Sequence, residues 1–197
     1  MNYFSSTKNI LPKKAVDQFA HLLDIFIEKK KPTETTLPNL QYGVEYDHVK
    51  KQLGGIIEKL IGRHDSPVCF LQRSVRPHYV HSDYPNNDNN KEPYCAVLFP
   101  LRFNGPCSTV VFKEKSKKKN IEHRDPKTNY QYTDEELKML SHIDKNTLGR
   151  LSDPRTIKWN VGDAIVWERI HLHCSDNFLV NDTTFKDSLV LFTTRKQ

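Results

Sequence analysis

The sequence predicts a mostly-β domain, a sandwich or jelly-roll barrel, with helices at its N-terminal end. Three observations predict it. Apolar residues recur with helical spacing only within residues 1–65. From Val68 onward the chain breaks into about eight short segments rich in β-branched and aromatic residues, divided by turn-forming clusters. One stretch, 114–155, interrupts that rhythm and reads as an insertion between strands.

The first predicted helix spans Lys13–Lys30. Its stripe is Val16, Phe19, Ala20, Leu22, Leu23, Phe26 and Ile27, with Pro12 at its entry and Pro32 past its end. The second spans about Tyr46–Gly62, with Val49, Leu53, Ile56, Ile57, Leu60 and Ile61 on one face. Gly54 and Gly55 weaken it, each by about 1 kcal/mol relative to Ala. The predicted strands are Val68–Leu71, Val75–His81, Tyr94–Phe103, Ser108–Lys113, Thr156–Trp159, Ala164–Arg169, Leu172–Phe178 and Ser188–Thr194. Turns at Pro85–Asn90, Asn104–Pro106, Val161–Asp163 and Asn181–Thr183 separate them. Within the insertion, Lys115–Asn120 is a basic run without interleaved aromatics, which reads as a solvated loop. Thr133–Ile143 reads as a short helix, with Thr133 and Glu136 spaced as a capping box.

Composition narrows the class. The chain has 197 residues, 30 basic and 24 acidic, for a net charge of +6, and a mean hydropathy of −0.68. That charge is mild and counts against an obligate nucleic-acid binder, whose basic face is sharper. Phe 10, Tyr 8 and Trp 2 supply too many aromatics for a disordered chain. No apolar run approaches the roughly 18 residues of a membrane span, and Met1–Lys14 carries no leader-like apolar stretch. Cys69, Cys95, Cys107 and Cys174 are scattered, so they read as reduced thiols of a cytoplasmic protein.

Chemistry-bearing residues fall in three places. In His81-Ser82-Asp83, at a predicted strand end, positions i and i+2 point the same way, so an imidazole and a carboxylate project together; Tyr79 shares that phase. The same triplet is also compatible with a surface turn. In the second place, Gly162-Asp163 opens a strand that leads to His171-Leu172-His173. Two His and one carboxylate with open positions form the facial triad of non-haem Fe(II) sites, and either His171 or His173 completes it. Finally, Lys186 and Ser188 share one face of the last strand with Val190 and Phe192. A cation aimed into an apolar interior needs a partner, and the carboxylate of a ligand supplies one. An exposed strand end with a solvated Lys is the alternative.

Taken in order, His81-x-Asp83, Gly162-Asp163, Leu172-His173-Cys174-Ser175-Asp176-Asn177 and Lys186-x-Ser188 resemble the Fe(II)/2-oxoglutarate-dependent dioxygenases. The distal stretch is similar to the prolyl-4-hydroxylase-like and phytanoyl-CoA-hydroxylase-like branches. The resemblance covers about residues 68–195. It implies a double-stranded β-helix within one domain spanning 1–197, with 1–65 as support helices. It also implies iron held by His81, Asp83 and His173, with Lys186 and Ser188 on the far carboxylate of 2-oxoglutarate and Arg195 as the fallback cation. Tyr79 would line the cosubstrate or substrate pocket, and Arg76, out of phase, would make a salt bridge. The implied cofactors are Fe(II), 2-oxoglutarate and O2, with ascorbate as an accessory reductant. The implied reaction is hydroxylation of a C–H bond in a protein or peptide side chain, prolyl among them, or in a small molecule, releasing succinate and CO2. Asp83 stands where halogenating relatives carry a small residue, which favours hydroxylation. Substrate choice would rest on residues 84–93, 114–155 and 32–45. The rival classes are a zinc hydrolase, for which no HExxH helix is present, a metal-free binding module, and a nucleic-acid-acting oxygenase.

Overall fold

Two antiparallel sheets face one another, and every strand but the edges has both faces covered. The computed structural model describes residues 4–29, 39–65, 67–84, 92–118 and 127–195. Their elements are β1 (Phe4–Thr7), α1 (Lys13–Lys29), β2 (Asn39–Val44), α2 (Tyr46–Ile61), β3 (Val68–Ser74), β4 (Pro93–Phe103) and β5 (Ser108–Lys115). There follow α3 (Asp134–Met139), α4 (Lys145–Leu148), β6 (Arg155–Lys158), β7 (Ala164–Glu168), β8 (His171–Ser175), a 3₁₀ turn (Phe178–Asn181) and β9 (Lys186–Thr194). The larger sheet runs β1-β7-β4-β9-β3-β2 and the smaller β6-β5-β8.

Alternation along the strands builds three cores. Outward-facing Leu71, Val97, Phe99, Leu189 and Leu191 of the larger sheet pack against Val16, Phe19 and Leu23 of α1 and Val49, Leu53 and Ile57 of α2. Helix α2 runs unbroken through Gly54 and Gly55, because burial of that face outweighs the propensity cost. Inward-facing Leu98, Ile165, Trp167 and Val190 meet Val111, Ile157, Trp159 and Phe178 between the sheets. On the far side of the smaller sheet, Val110, Phe112, Leu172 and Cys174 pack against Leu140, Ile143, Leu148 and Leu151. The segment between β5 and β6 is therefore a third layer, and its helix α3 starts at the Thr133–Glu136 capping box.

Two local devices hold the larger sheet. At the Val161–Asp163 turn, Gly162 adopts φ 87°, a conformation that glycine reaches without strain. Its carbonyl accepts from the amides of Ile10 and Leu11, and Asp163 accepts from Asn160 Nδ2 and the amide of Asn9. At the other end, fully buried Asp187 accepts from Arg73 Nε at 2.8 Å and from Arg102 Nε at 2.8 Å. Arg102 also reaches Asp24 of α1 at 2.6 Å. The helix is thereby tied to β3, β4 and β9.

The structure departs from the sequence reading in four places. Val75–His81 is not a strand: β3 ends at Ser74, and the chain crosses irregularly to a single bridge between His81 and His173. Pro77, which lacks an amide hydrogen, lies in the middle of that stretch. The predicted strand Leu172–Phe178 stops at Ser175, and Phe178 begins the 3₁₀ turn. Residues 39–44, read as part of a loop, form strand β2 on the edge of the larger sheet. The edge strand β1, not read from the sequence, pairs Phe4 with Trp167. Much of the predicted selecting loops 84–93 and 32–45, and Lys119–Asn120 of the basic run, lie outside the described residues. No helix among the described residues is long and apolar enough to cross a membrane.

Candidate metal centre

The bridge that replaces the predicted strand is what assembles the site. The amide of His81 donates to the carbonyl of His173 at 3.0 Å, and the amide of His173 to the carbonyl of His81 at 2.8 Å. Two residues far apart in sequence are thus locked side by side, their ring centroids 4.4 Å apart. Asp83 follows on the same segment, its amide donating to the carbonyl of Arg169 at 2.9 Å. One ligand atom from each of His81, Asp83 and His173 lies within 4.8 Å of the others. Of the two candidates His171 and His173, it is His173 that lies beside Asp83. His171 turns to the carbonyl of Phe112 at 3.0 Å and to Glu168 at 3.6 Å, and burial pushes its imidazole below the usual range.

The three side chains fit a divalent ion. His81 Nδ1 lies 2.7 Å from the carbonyl of Tyr79, and His173 Nδ1 lies 3.0 Å from that of His171. With both Nδ1–H groups donating to carbonyls, the network assigns the lone pair to Nε2 on each ring. Those atoms face the carboxylate: His81 Nε2 is 3.8 Å from Asp83 Oδ1, and His173 Nε2 is 3.4 Å from Asp83 Oδ2. Two atoms each about 2.1 Å from one ion lie at most about 4.2 Å apart, so both pairs suit a shared metal. Two imidazoles and a carboxylate on one side leave the other side open, and they are the donor set of a non-haem Fe(II) site. The His81 side chain remains 24% exposed while those of Asp83 and His173 are 5% and 7% exposed, so the site opens on the His81 side.

Two residues that the sequence reading did not assign to the site hold Asp83. Trp167 Nε1 donates to Asp83 Oδ2 at 3.1 Å, and its ring lies 4.9 Å from that of His173. Buried Arg169 donates to the backbone carbonyl of Asp83 through Nε and Nη2, at 3.1 and 2.7 Å, and to that of Thr193 at 3.0 Å. Burial lowers the Arg169 pKa from its ordinary value. Trp167 was legible as a buried strand residue, but nothing in the sequence paired either residue with Asp83.

Lys186 and Ser188 take the inward face of β9, in phase with Val190, and both are 2% exposed. Lys186 Nζ donates to the carbonyl of Ser108 at 3.3 Å and lies 4.4 Å above the Trp159 ring and 5.0 Å above that of Phe178. Burial pushes its pKa down, against the attraction of Asp176. Asp176, itself buried, is pushed up by burial, and its Oδ1 has no hydrogen-bond partner. No carboxylate oxygen forms a salt bridge with Lys186 among the described residues. Arg195 lies elsewhere, paired with Glu92 at 3.1 Å and stacked on Tyr94. Tyr79 gives the site its carbonyl, not its ring, which is 69% exposed: once 75–81 is not a strand, the phase that placed it beside the ligands is lost. Arg76 is exposed on the same crossing.

No family model matches the chain, and no curated protein matches its sequence. Solved structures do match its fold. A prolyl-4-hydroxylase of Pseudomonas putida aligns over 99% of this chain and 94% of its own, at 12% identity and a TM-score of 0.57. SnoK, a non-haem α-ketoglutarate-dependent carbocyclase from nogalamycin biosynthesis, covers 98% of this chain and 80% of its own, at 10% identity and 0.62. HygX of Streptomyces hygroscopicus, solved with nickel, 2-oxoglutarate and hygromycin B, covers 98% and 83%, at 12% identity and 0.58. The chain therefore has the fold of the 2-oxoglutarate/Fe(II) oxygenases.

Proposed function

We propose that the chain is a single-domain Fe(II)- and 2-oxoglutarate-dependent dioxygenase that hydroxylates a C–H bond of a peptide side chain or a small molecule. One observation carries the reading: His81, Asp83 and His173 converge inside the same barrel that buries Lys186, which among the described residues forms no salt bridge. A dicarboxylate reconciles the two, since one end suits the open side of a metal and the other neutralises the ammonium. When bound, the iron and its cosubstrate supply the oxidising chemistry, with succinate and CO2 as coproducts.

The protein's own groups do the rest. Trp167 and Arg169 orient Asp83. The carbonyls of Tyr79 and His171 fix the two imidazoles. Lys186 and Ser188 present a cation and a hydroxyl to the far carboxylate. Leu98, Val111 and Val190 belong to the buried apolar core between the sheets, a setting that strengthens charge interactions within it. The fold neighbours include a prolyl-4-hydroxylase and a structure holding hygromycin B, which supports both substrate classes.

The test is anaerobic addition of Fe(II) and then 2-oxoglutarate to the purified chain. A weak visible charge-transfer band should appear and be absent in Asp83→Ala. Iron binding with no band overturns the reading in favour of a metal site without this cosubstrate, and no iron binding removes the metal centre altogether.

A further inference from the structure

A further imidazole lies beside the site, and neither the triad nor Lys186 accounts for it. The His78 ring centroid is 5.8 Å from that of His81. Its charge environment is set by His81, Lys186, His173 and His142 together, after burial itself, which pushes its pKa well down. The ring thus lies beside the metal ligand His81, and its contacts with Gln72 and Ser74 bring it to the stretch of sheet that carries Lys186. The register agrees: Gln72 and Ser74, its neighbours on β3, pair with Ser188 and Lys186 of β9.

His78 is also held from three directions. Asn39 Nδ2 of β2 lies 2.7 Å from its Nε2, and Gln72 Nε2 of β3 reaches the same nitrogen. Ser74 Oγ is 3.4 Å away. Its backbone carbonyl lies 3.1 Å from His142 Nε2, which comes from the inserted layer. Swinging the ring out would break these contacts and strand buried amides, which is costly. A side chain so fixed is a wall, not a gate.

We propose that His78 is the length gauge of the cosubstrate pocket, selecting the five-carbon 2-oxoglutarate over a six-carbon homologue. The inference rests on the dioxygenase reading above. A rigid imidazole beside His81 and beside the β3 residues that pair with Ser188 and Lys186 would leave room for one chain length, and an added methylene would have to displace it. Discrimination of one methylene in a tight pocket is worth roughly 10- to 200-fold. His142 and Asn39 are positioning residues, acting through His78.

The experiment measures dissociation constants of 2-oxoglutarate and 2-oxoadipate from the anaerobic Fe(II)-loaded protein by the charge-transfer band. Wild type should bind 2-oxoadipate at least about tenfold more weakly. His78→Ala should close that gap severalfold while iron affinity stays within about twofold. His78→Asn, shorter than the imidazole but still able to meet one of the same amides, serves as the test should His78→Ala not fold: it should narrow the gap, and an unchanged gap in His78→Asn then overturns the gauge. A gap unchanged in a folded His78→Ala also overturns it, with the dioxygenase reading intact. Absence of any band in iron-loaded wild type overturns both.

Discussion

The indole N–H of Trp167 ends 3.1 Å from Asp83 Oδ2, the carboxylate oxygen that also faces His173 Nε2 at 3.4 Å. One oxygen is thus steered by a donor on β7 toward a ligand on β8. Removing the donor while keeping the ring should let the carboxylate rotate. Trp167→Phe is expected to weaken Mn(II) or Fe(II) binding by about 10- to 100-fold, the usual cost of losing such a support. Calorimetric metal titration checks it, and an unchanged affinity would show that packing alone orients Asp83.

The two histidines of β8 separate cleanly. His173→Ala should abolish metal binding. His171→Ala should leave it within about twofold, because His171 faces Phe112 and Glu168. Electron paramagnetic resonance of added Mn(II) distinguishes the two variants, and the reverse pattern would move the ligand to His171.

Lys186 sets binding against stability. A buried ammonium whose hydrogen bond among the described residues goes to one carbonyl is costly, and an apolar side chain of similar length removes that cost. Lys186→Met should melt no lower than wild type and hold metal normally, yet lose 2-oxoglutarate binding by at least about tenfold. Its melting temperature and the cosubstrate titration read the two effects separately. A variant that binds 2-oxoglutarate normally would exclude Lys186 from the site.

The ionic tie between α1 and the sheet should appear in acid. The hydrogen bond from Arg102 holds the Asp24 carboxyl below its ordinary 3.8. A depressed carboxylate stabilises the fold fully above its unfolded value and loses that contribution as pH falls through the folded one. Asp24→Asn should therefore be less stable than wild type at pH 6, with the difference shrinking below pH 3.8. Because Asp24 is 38% exposed, salt should shrink the difference too. Urea unfolding of both proteins at pH 6 and pH 3 measures it.

How much of this was legible depended on whether a signal was local. Helix α1 and strands β4, β5, β7 and β9 carry their own periodicity, and their ends fall within a residue or two of the pattern. Strand β1 is Phe-Ser-Ser-Thr: it has no pattern of its own and exists because β7 offers it a partner. The segment 75–81 showed the opposite failure, for its β-branched and aromatic content suggested a strand that Pro77 and the crossing between sheets do not allow. His81, Asp83 and His173, which the structure brings together, and Lys186 and Ser188, which it buries, could be named as candidates because residue type and order are written in the chain. Arg169, His78 and His142 were not, since Arg169 and His142 meet backbone carbonyls far away in sequence and the His78 ring meets side chains of β2 and β3.

The reciprocal bond between His81 and His173 also orders events in time. Its two amides can pair only after the ends of a long loop have met, so the cradle cannot form before those distant segments join. Metal is therefore expected to bind the folded chain and not to nucleate folding. Loading should raise the midpoint of thermal unfolding by mass action and slow unfolding, while the refolding rate of the metal-free protein stays the same when metal is added.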